Sequence, residues 1–182
     1  MWRKALIVKL IKYQFPDYLI KINRRFLSNR KFQVKTNQVL STVSNIQAGT
    51  PHGSSLRPSL YNIFNSDFRR NDKVTNCLFV NDSAILTQGS NIRFIIKTIQ
   101  AQLDSIEYWC TKWRVAINTD KTKAILFRKE NSSKVLRTLS FMEEDLTWEN
   151  QVKYIFGLYL ILNSLSENML NRTLINFGIK SI

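Results

Sequence analysis

Acidic side chains are scarce in this chain: 13 Asp and Glu stand against 27 Lys and Arg in 182 residues, leaving a net charge of +14 and an isoelectric point near 10.0. Such an imbalance favours a polyanionic partner, nucleic acid ahead of an anionic membrane surface. Histidine and cysteine are scarcer still. His52 is alone and Cys77 and Cys110 are the two thiols, so zinc-type Cys/His spacing is missing. Both cysteines lie in apolar segments and read as buried free thiols of a reducing compartment. No run of about eighteen uninterrupted apolar residues occurs, which excludes a membrane-spanning helix on sequence grounds. Met1-Trp2-Arg3-Lys4 leads into an apolar run broken by Lys9 and Lys12, unlike a cleavable signal. An intracellular protein, in cytoplasm or nucleus, is expected. There is no Walker loop, nucleophile elbow, internal repeat or low-complexity tract.

What is present can fold. Apolar residues make up 44% and aromatic residues 12% of the chain, enough to bury a core, and one domain is the default for this length. The charge is uneven: residues 1–40 hold ten Lys or Arg and only Asp17 as an acid. A basic N-terminal third suits tracking of a phosphate backbone, and a solvated helix face is the plain alternative.

Apolar spacing predicts a helix over 2–12 with Trp2, Ala5, Leu6, Leu10 and Ile11 on one face. A second helix begins near Pro16 and carries Tyr18, Leu19, Ile22 and Phe26 to about Ser28. Lys31–Lys35 and Val39–Ile46 read as an antiparallel pair with a turn at Asn37. A helix containing Pro58 follows, with Leu60, Ile63, Phe64 and Phe68 inward. The clearest period runs from 91 to 113, where Ile92, Ile95, Ile96, Ile99, Leu103, Ile106, Cys110 and Trp113 share a stripe; Gln88-Gly89-Ser90 offers its N-cap. Trp109 and Trp113 read as core anchors. Val135–Phe141 is a candidate strand, with Glu143-Glu144-Asp145 as a turn.

Two features carry chemistry. Gly49-Thr50-Pro51-His52-Gly53-Ser54 is a loop running into a helix, able to present backbone N–H groups to an anion, or simply to connect a strand to a helix. Val74–Val80, Asn81-Asp82 and Ser83–Leu86 form a strand, an acidic turn and a strand, the arrangement by which a hairpin holds a carboxylate out to a metal ion. As a turn acid, Asp82 also needs no ligand role.

The order of these blocks resembles the reverse transcriptases of jockey-like non-LTR retrotransposons. The pattern G-x-P-Q-G-S-x-L-S-P-x-L-Y is matched at Gly49, Pro51, Gly53, Ser54, Leu56, Pro58, Leu60 and Tyr61. His52 stands for Gln and Arg57 for Ser. F-A-D-D is matched at Phe79 and Asp82, with Asn81 in place of the first Asp. W-x-x-x-W-x-x-x-I-N-x-x-K-T-x-x-x-x-F is matched at Trp109, Trp113, Ile117, Asn118, Lys121, Thr122 and Phe127. Val152–Ile161 is like K-Y-L-G-x-x-L-D with Phe156 inserted and Ile161 for the acid.

The resemblance implies an α+β fold: a right-hand polymerase palm with partial fingers and a stub of thumb, its antiparallel sheet packed on helices. Residues 1–161 would be the polymerase portion, and 162–182 the start of a thumb or a degenerate tail. It implies RNA-templated DNA synthesis with Mg²⁺, an RNA template and a DNA primer as partners, and no membrane. Asp82, the degenerate Asn81 and Lys121 would be the catalytic positions, Asp82 the metal ligand, and Gly49, Pro51, His52, Gly53 and Ser54 the nucleotide or template contacts. Lys121 would stand near the leaving pyrophosphate as a general acid, or merely cap a turn after Asn118. His52 would stack on or bond to the nucleotide, or be a plain loop histidine.

The family's alanine-phenylalanine-aspartate precedes the point where this sequence begins. Its absence leaves one acid where two divalent ions need several, so Mg²⁺ binding is expected to be weak or absent and polymerisation inactive. A non-catalytic RNA- or DNA-binding module is the alternative. A missing central strand is also expected to leave apolar sheet edges open.

Overall fold

The computed structural model describes residues 1–51, 53–68, 71–79, 82–127 and 137–149, and the backbone of 171–180. The chain forms two compact units, Met1–Asp67 and Phe68–Lys180. Together they present a mixed α+β arrangement of helices and small, mostly antiparallel sheets.

The first unit begins with helix α1, Arg3–Lys12, which buries Ala5, Leu6, Ile7 and Leu10. The face is shifted from the expected one: Ile11 is exposed and Ile7 is covered. Lys9 is fully buried on that same face. Its ammonium donates to the carboxylate of Asp67 and to the carbonyl of Phe64, and it lies 4.7 Å from the centre of the Phe64 ring. A buried ammonium is tolerated only with such compensation.

Helix α2, Asp17–Leu27, follows Pro16, which sits at its N-cap. Ile20 and Leu27 are buried while Tyr18 and Ile22 are exposed. The apolar face therefore runs one residue out of phase with the expected stripe. Asn23 accompanies it, with its amide turned back to the Leu19 carbonyl at 2.9 Å.

Four two-residue strands come next: β1 (Lys31–Phe32), β2 (Lys35–Thr36), β3 (Val39–Leu40) and β4 (Ser44–Asn45). β1 pairs with β4 and β2 with β3, both antiparallel, as the sequence pattern predicts. Asn37 and Gln38 make the turn at positive φ, 45° and 70°, where Asn is well suited. Alternation buries nothing here, because every residue of the four strands is exposed.

Helix α3, Leu56–Asn65, closes the unit and covers Leu60 and Phe64. It packs on α1. Phe68 falls beyond its end and is buried in the second unit, edge-on to Trp109 with 5.1 Å between ring centres.

In the second unit, β5 (Thr75–Phe79), β6 (Asp82–Gly89), β7 (Ala116–Phe127), β10 (Trp148–Glu149) and β11 (Asn171–Lys180) form a sheet in the order β10-β7-β11-β6-β5. Every pairing is antiparallel except β10 with β7. Helix α4, Ile92–Trp113, lies against β6. Ile95, Ile99, Leu103 and Ile106 are completely buried on it, and Trp109 and Trp113 are nearly so. Its N-cap is Asn91, whose Oδ1 accepts from the N–H of Arg93 at 2.9 Å and of Phe94 at 3.4 Å. Gln88 and Gly89, expected in that cap, remain in β6.

A small hairpin of β8 (Leu139–Phe141) and β9 (Glu144–Leu146) packs beside α4. Its turn is Met142-Glu143, both at positive φ, so Glu144 and Asp145 belong to a strand rather than to the turn. One further expectation falls: Cys77 is exposed and only Cys110 is buried. β6 is paired along its length by β11, in the stretch read from the sequence as the start of a thumb or a degenerate tail. Its Thr, Ile and Phe content favours extended backbone. Val152–Ile161 lies outside the described residues.

Candidate functional site

The glycine loop belongs to the first unit. Gly49 and Gly53 have φ of 77° and 74°, a backbone region costly for residues with a Cβ. An added Cβ would meet nothing within 4 Å at either position. Backbone conformation, not crowding, therefore calls for glycine. Ser54 Oγ accepts the Leu56 N–H at 3.2 Å and leads the loop into α3.

Two arginines of the basic N-terminal third hold this loop. Arg3 donates to the carbonyls of Ile46 and Ala48, and Arg30 Nη1 donates to Gly49 O at 3.1 Å. The Gly49 N–H reaches Met1 O at 3.1 Å. The guanidinium of Arg3 is held below its ordinary pKa, first by burial and then by repulsion from Arg30. Sequence patterning could not show this, because the partners are carbonyls more than forty residues away from Arg3. Pro51 is half-buried and Gly53 exposed. His52 lies outside the described residues.

The acidic turn belongs to the second unit. Asp82 is the first residue of β6, directly opposite Phe79 of β5, and its side chain is exposed. Asn81, in the two-residue connection, is outside the described residues. Beside this position β7 is irregular. Lys123 pairs with Asn176 and Asn118 with Gly178, so residues 119–122 loop out of the ladder. The Asn118 side chain accepts the Lys121 N–H at 3.4 Å, and Thr122 Oγ1 donates to Asn118 O at 2.9 Å. Lys121 thus stands exposed on a bulge braced by the Asn118 and Thr122 that accompany it in sequence.

Gly178 pairs with Asp82 on one side and with Asn118 on the other. The acid and the Lys121 bulge therefore lie at one level of the sheet, two strands apart, about 10 Å between backbones. Of the two, the Lys121 ammonium is the group that can attract an anionic ligand at this end of the sheet, while the Asp82 carboxylate would repel one.

A pair of divalent cations fits this donor set poorly. Among the described residues no three His, Cys, Asp or Glu side chains are grouped so as to hold a metal, and position 81 supplies an amide. Among those residues, too, no helix is long and apolar enough to cross a membrane.

Residues 1–156 match the family described as reverse transcriptase (RNA-dependent DNA polymerase). The chain is 31% identical over 141 residues to the RNA-directed DNA polymerase from mobile element jockey of Drosophila melanogaster, covering 73% of this chain and 15% of that protein. The Drosophila funebris jockey polymerase is 32% identical over 135 residues, 70% of this chain and 15% of the relative. The probable RNA-directed DNA polymerase from transposon BS of Drosophila melanogaster is 26% identical over 163 residues, 85% of this chain and 18% of the relative. The chain thus spans less than a fifth of the length of these relatives. No solved structure matches it.

Proposed function

Because the chain belongs to the reverse transcriptase (RNA-dependent DNA polymerase) family, we propose that it is the part of a mobile-element polymerase that contributes palm and partial fingers. The reaction so implied is nucleotidyl transfer to a DNA primer on an RNA template. The observation that supports this best is the placement of Asp82 and the Lys121 bulge on either side of Gly178 in one sheet. In this reading Asp82 is the surviving acid of the site. Lys121 faces the phosphates, holding negative charge and able to donate a proton to a departing oxygen. Gly49, Pro51, His52, Gly53 and Ser54 form the loop that contacts nucleotide or template.

Mg²⁺ supplies charge neutralisation to polymerases of this family, but one carboxylate beside an amide does not provide what two such ions require. We therefore assign no step to metal in this chain and propose that, taken by itself, it does not polymerise. Primer extension on a polyadenylate template with Mg²⁺ or Mn²⁺, alongside Asp82→Ala, is the test. Incorporation equal to that of the variant supports the reading; incorporation clearly above it overturns the inactivity. A second reading, a non-catalytic module that binds RNA or DNA inside the cell, is favoured by the net charge of +14.

A further inference from the structure

Helix α4 and the stretch Arg137, Thr138 and Ser140 leading into β8 line an open groove of about 1190 Å³ at the N-terminal half of the helix. Gly89, at the end of β6 opposite Asp82, lies against Ile95 near the start of α4. The start of α4, where the groove begins, is therefore at the end of β6 away from the acidic turn, about 23 Å from Asp82 along the strand. Arg93 and Lys97 line it from the helix and Arg137 from the strand side, against a wall formed by Ile96. All three cations are exposed. The carboxylate in the lining, Asp104, accepts the Gln100 amide at 2.7 Å.

The walls are fastened to each other. Gln100 donates to Ser140 O at 2.8 Å and accepts from Ser140 N at 3.0 Å, and the Met142 N–H donates to Glu107 at 3.2 Å. Leu139, Phe141 and Leu146 are buried beneath. Such a groove is preorganised, so little ordering opposes binding.

We propose that this groove binds the sugar–phosphate backbone of a single-stranded nucleic acid at a site separate from the polymerase centre. Its volume exceeds the usual range for one small molecule, roughly 300–1,000 Å³, and its open form suits a chain passing through. Arg93 and Lys97 are one helical turn apart, about 6 Å along the axis, on the scale of a nucleotide step in an extended strand. The apolar wall beside the cations suits sugars and bases between phosphates. The inference deepens the nucleic-acid side of the reading above, and its readout is binding, not synthesis.

The test is fluorescence anisotropy of a labelled twenty-nucleotide oligothymidylate with the full chain between 50 and 200 mM salt. The pair Arg93→Gln with Lys97→Gln is expected to bind about tenfold more weakly and to flatten the slope of log affinity against log salt by roughly 1.4, two single-strand phosphate contacts. Arg137→Gln gives about half that change in slope. A control pair of equal charge loss outside the groove, Lys112→Gln with Lys21→Gln, both at exposed positions, is expected to retain most of the affinity. Circular dichroism of each variant confirms that the solvent-facing changes leave the fold intact. Three results overturn the proposal: no binding by the unaltered chain, affinity within twofold for the groove pair, or an equal loss in the control. Capture of the unaltered chain, but not the groove pair, on phosphatidylserine vesicles with no oligonucleotide binding would reassign the groove to membranes.

Discussion

The two units bury their interiors in different ways. Helix α4 and its sheet exclude water chiefly from branched aliphatic side chains, Ile85, Ile95, Ile99, Leu103 and Ile106, all at 0% exposure, with only uncharged polar side chains such as Ser83 and Gln102 buried among them in the described residues. The first unit places an ammonium among its most buried side chains and answers it with Asp67 and a carbonyl. It also leaves Val8, Ile11, Tyr18, Ile22 and Val39 more than half exposed, whereas Tyr108 alone of the second unit's large hydrophobics reaches that level among the described residues. Apolar burial is non-directional and tolerates small shifts. A buried ion pair depends on geometry, so the first unit should be the more brittle.

The sharpest way to break the contrast is Lys9→Ala. Removing the fully buried ammonium takes a partner from Asp67 and from the Phe64 carbonyl and is expected to cost about 3–5 kcal/mol. Lys9→Met with Asp67→Leu, which removes both charges, should recover most of that loss. Urea denaturation followed by circular dichroism measures both. A single variant as stable as the parent would show that the pair contributes nothing and that the units do not differ in this respect.

Leu103→Ala probes the other kind of interior and is expected to cost about 2–5 kcal/mol through lost transfer energy and a cavity. No paired substitution should rescue it as the double change rescues Lys9. Gly49→Ala comes next, at about 1–2 kcal/mol, because alanine must adopt the left-handed backbone there while no neighbour crowds its Cβ. If Gly49→Ala is neutral in thermal unfolding, the loop relaxes to negative φ and its conformation is not a constraint.

These differences also explain what the sequence made legible. A 22-residue stripe averages over local errors, so α4 and its core can be read from periodicity. The hairpin of β5 and β6 is legible for a similar reason, five consecutive antiparallel pairs. Helix α2 has only eleven residues, and an asparagine on its inner face is enough to mislead the phase. Lys9 could not be read as buried, since nothing near it in sequence announces Asp67. Asp82, Asn118 and Lys121 were each recognisable, but their common level in the sheet depends on β11, which arrives from residues 171–180. Long-range strand insertion has no local signature.

The smallest effect falls on the thiols, and it separates surface from core within the second unit alone, since both cysteines are there. Burial, and then the nearby charge of Glu107, pushes the Cys110 thiol up to about 12 from an ordinary 9.0. The folded state thus keeps its proton where the unfolded chain would release it. That contribution is complete below pH 9 and is lost as pH rises from 9 towards 12, so in Cys110→Ala the fall in stability between neutral and alkaline pH should be smaller than in the parent, on top of a pH-independent loss from the removed core sulfur. At pH 8 a thiol reagent should modify exposed Cys77 rapidly and Cys110 only at the rate of core opening. Equal rates at both cysteines in the native protein would mean that the aliphatic interior around α4 opens as readily as the surface, and the contrast between the two units would lose its firmer half.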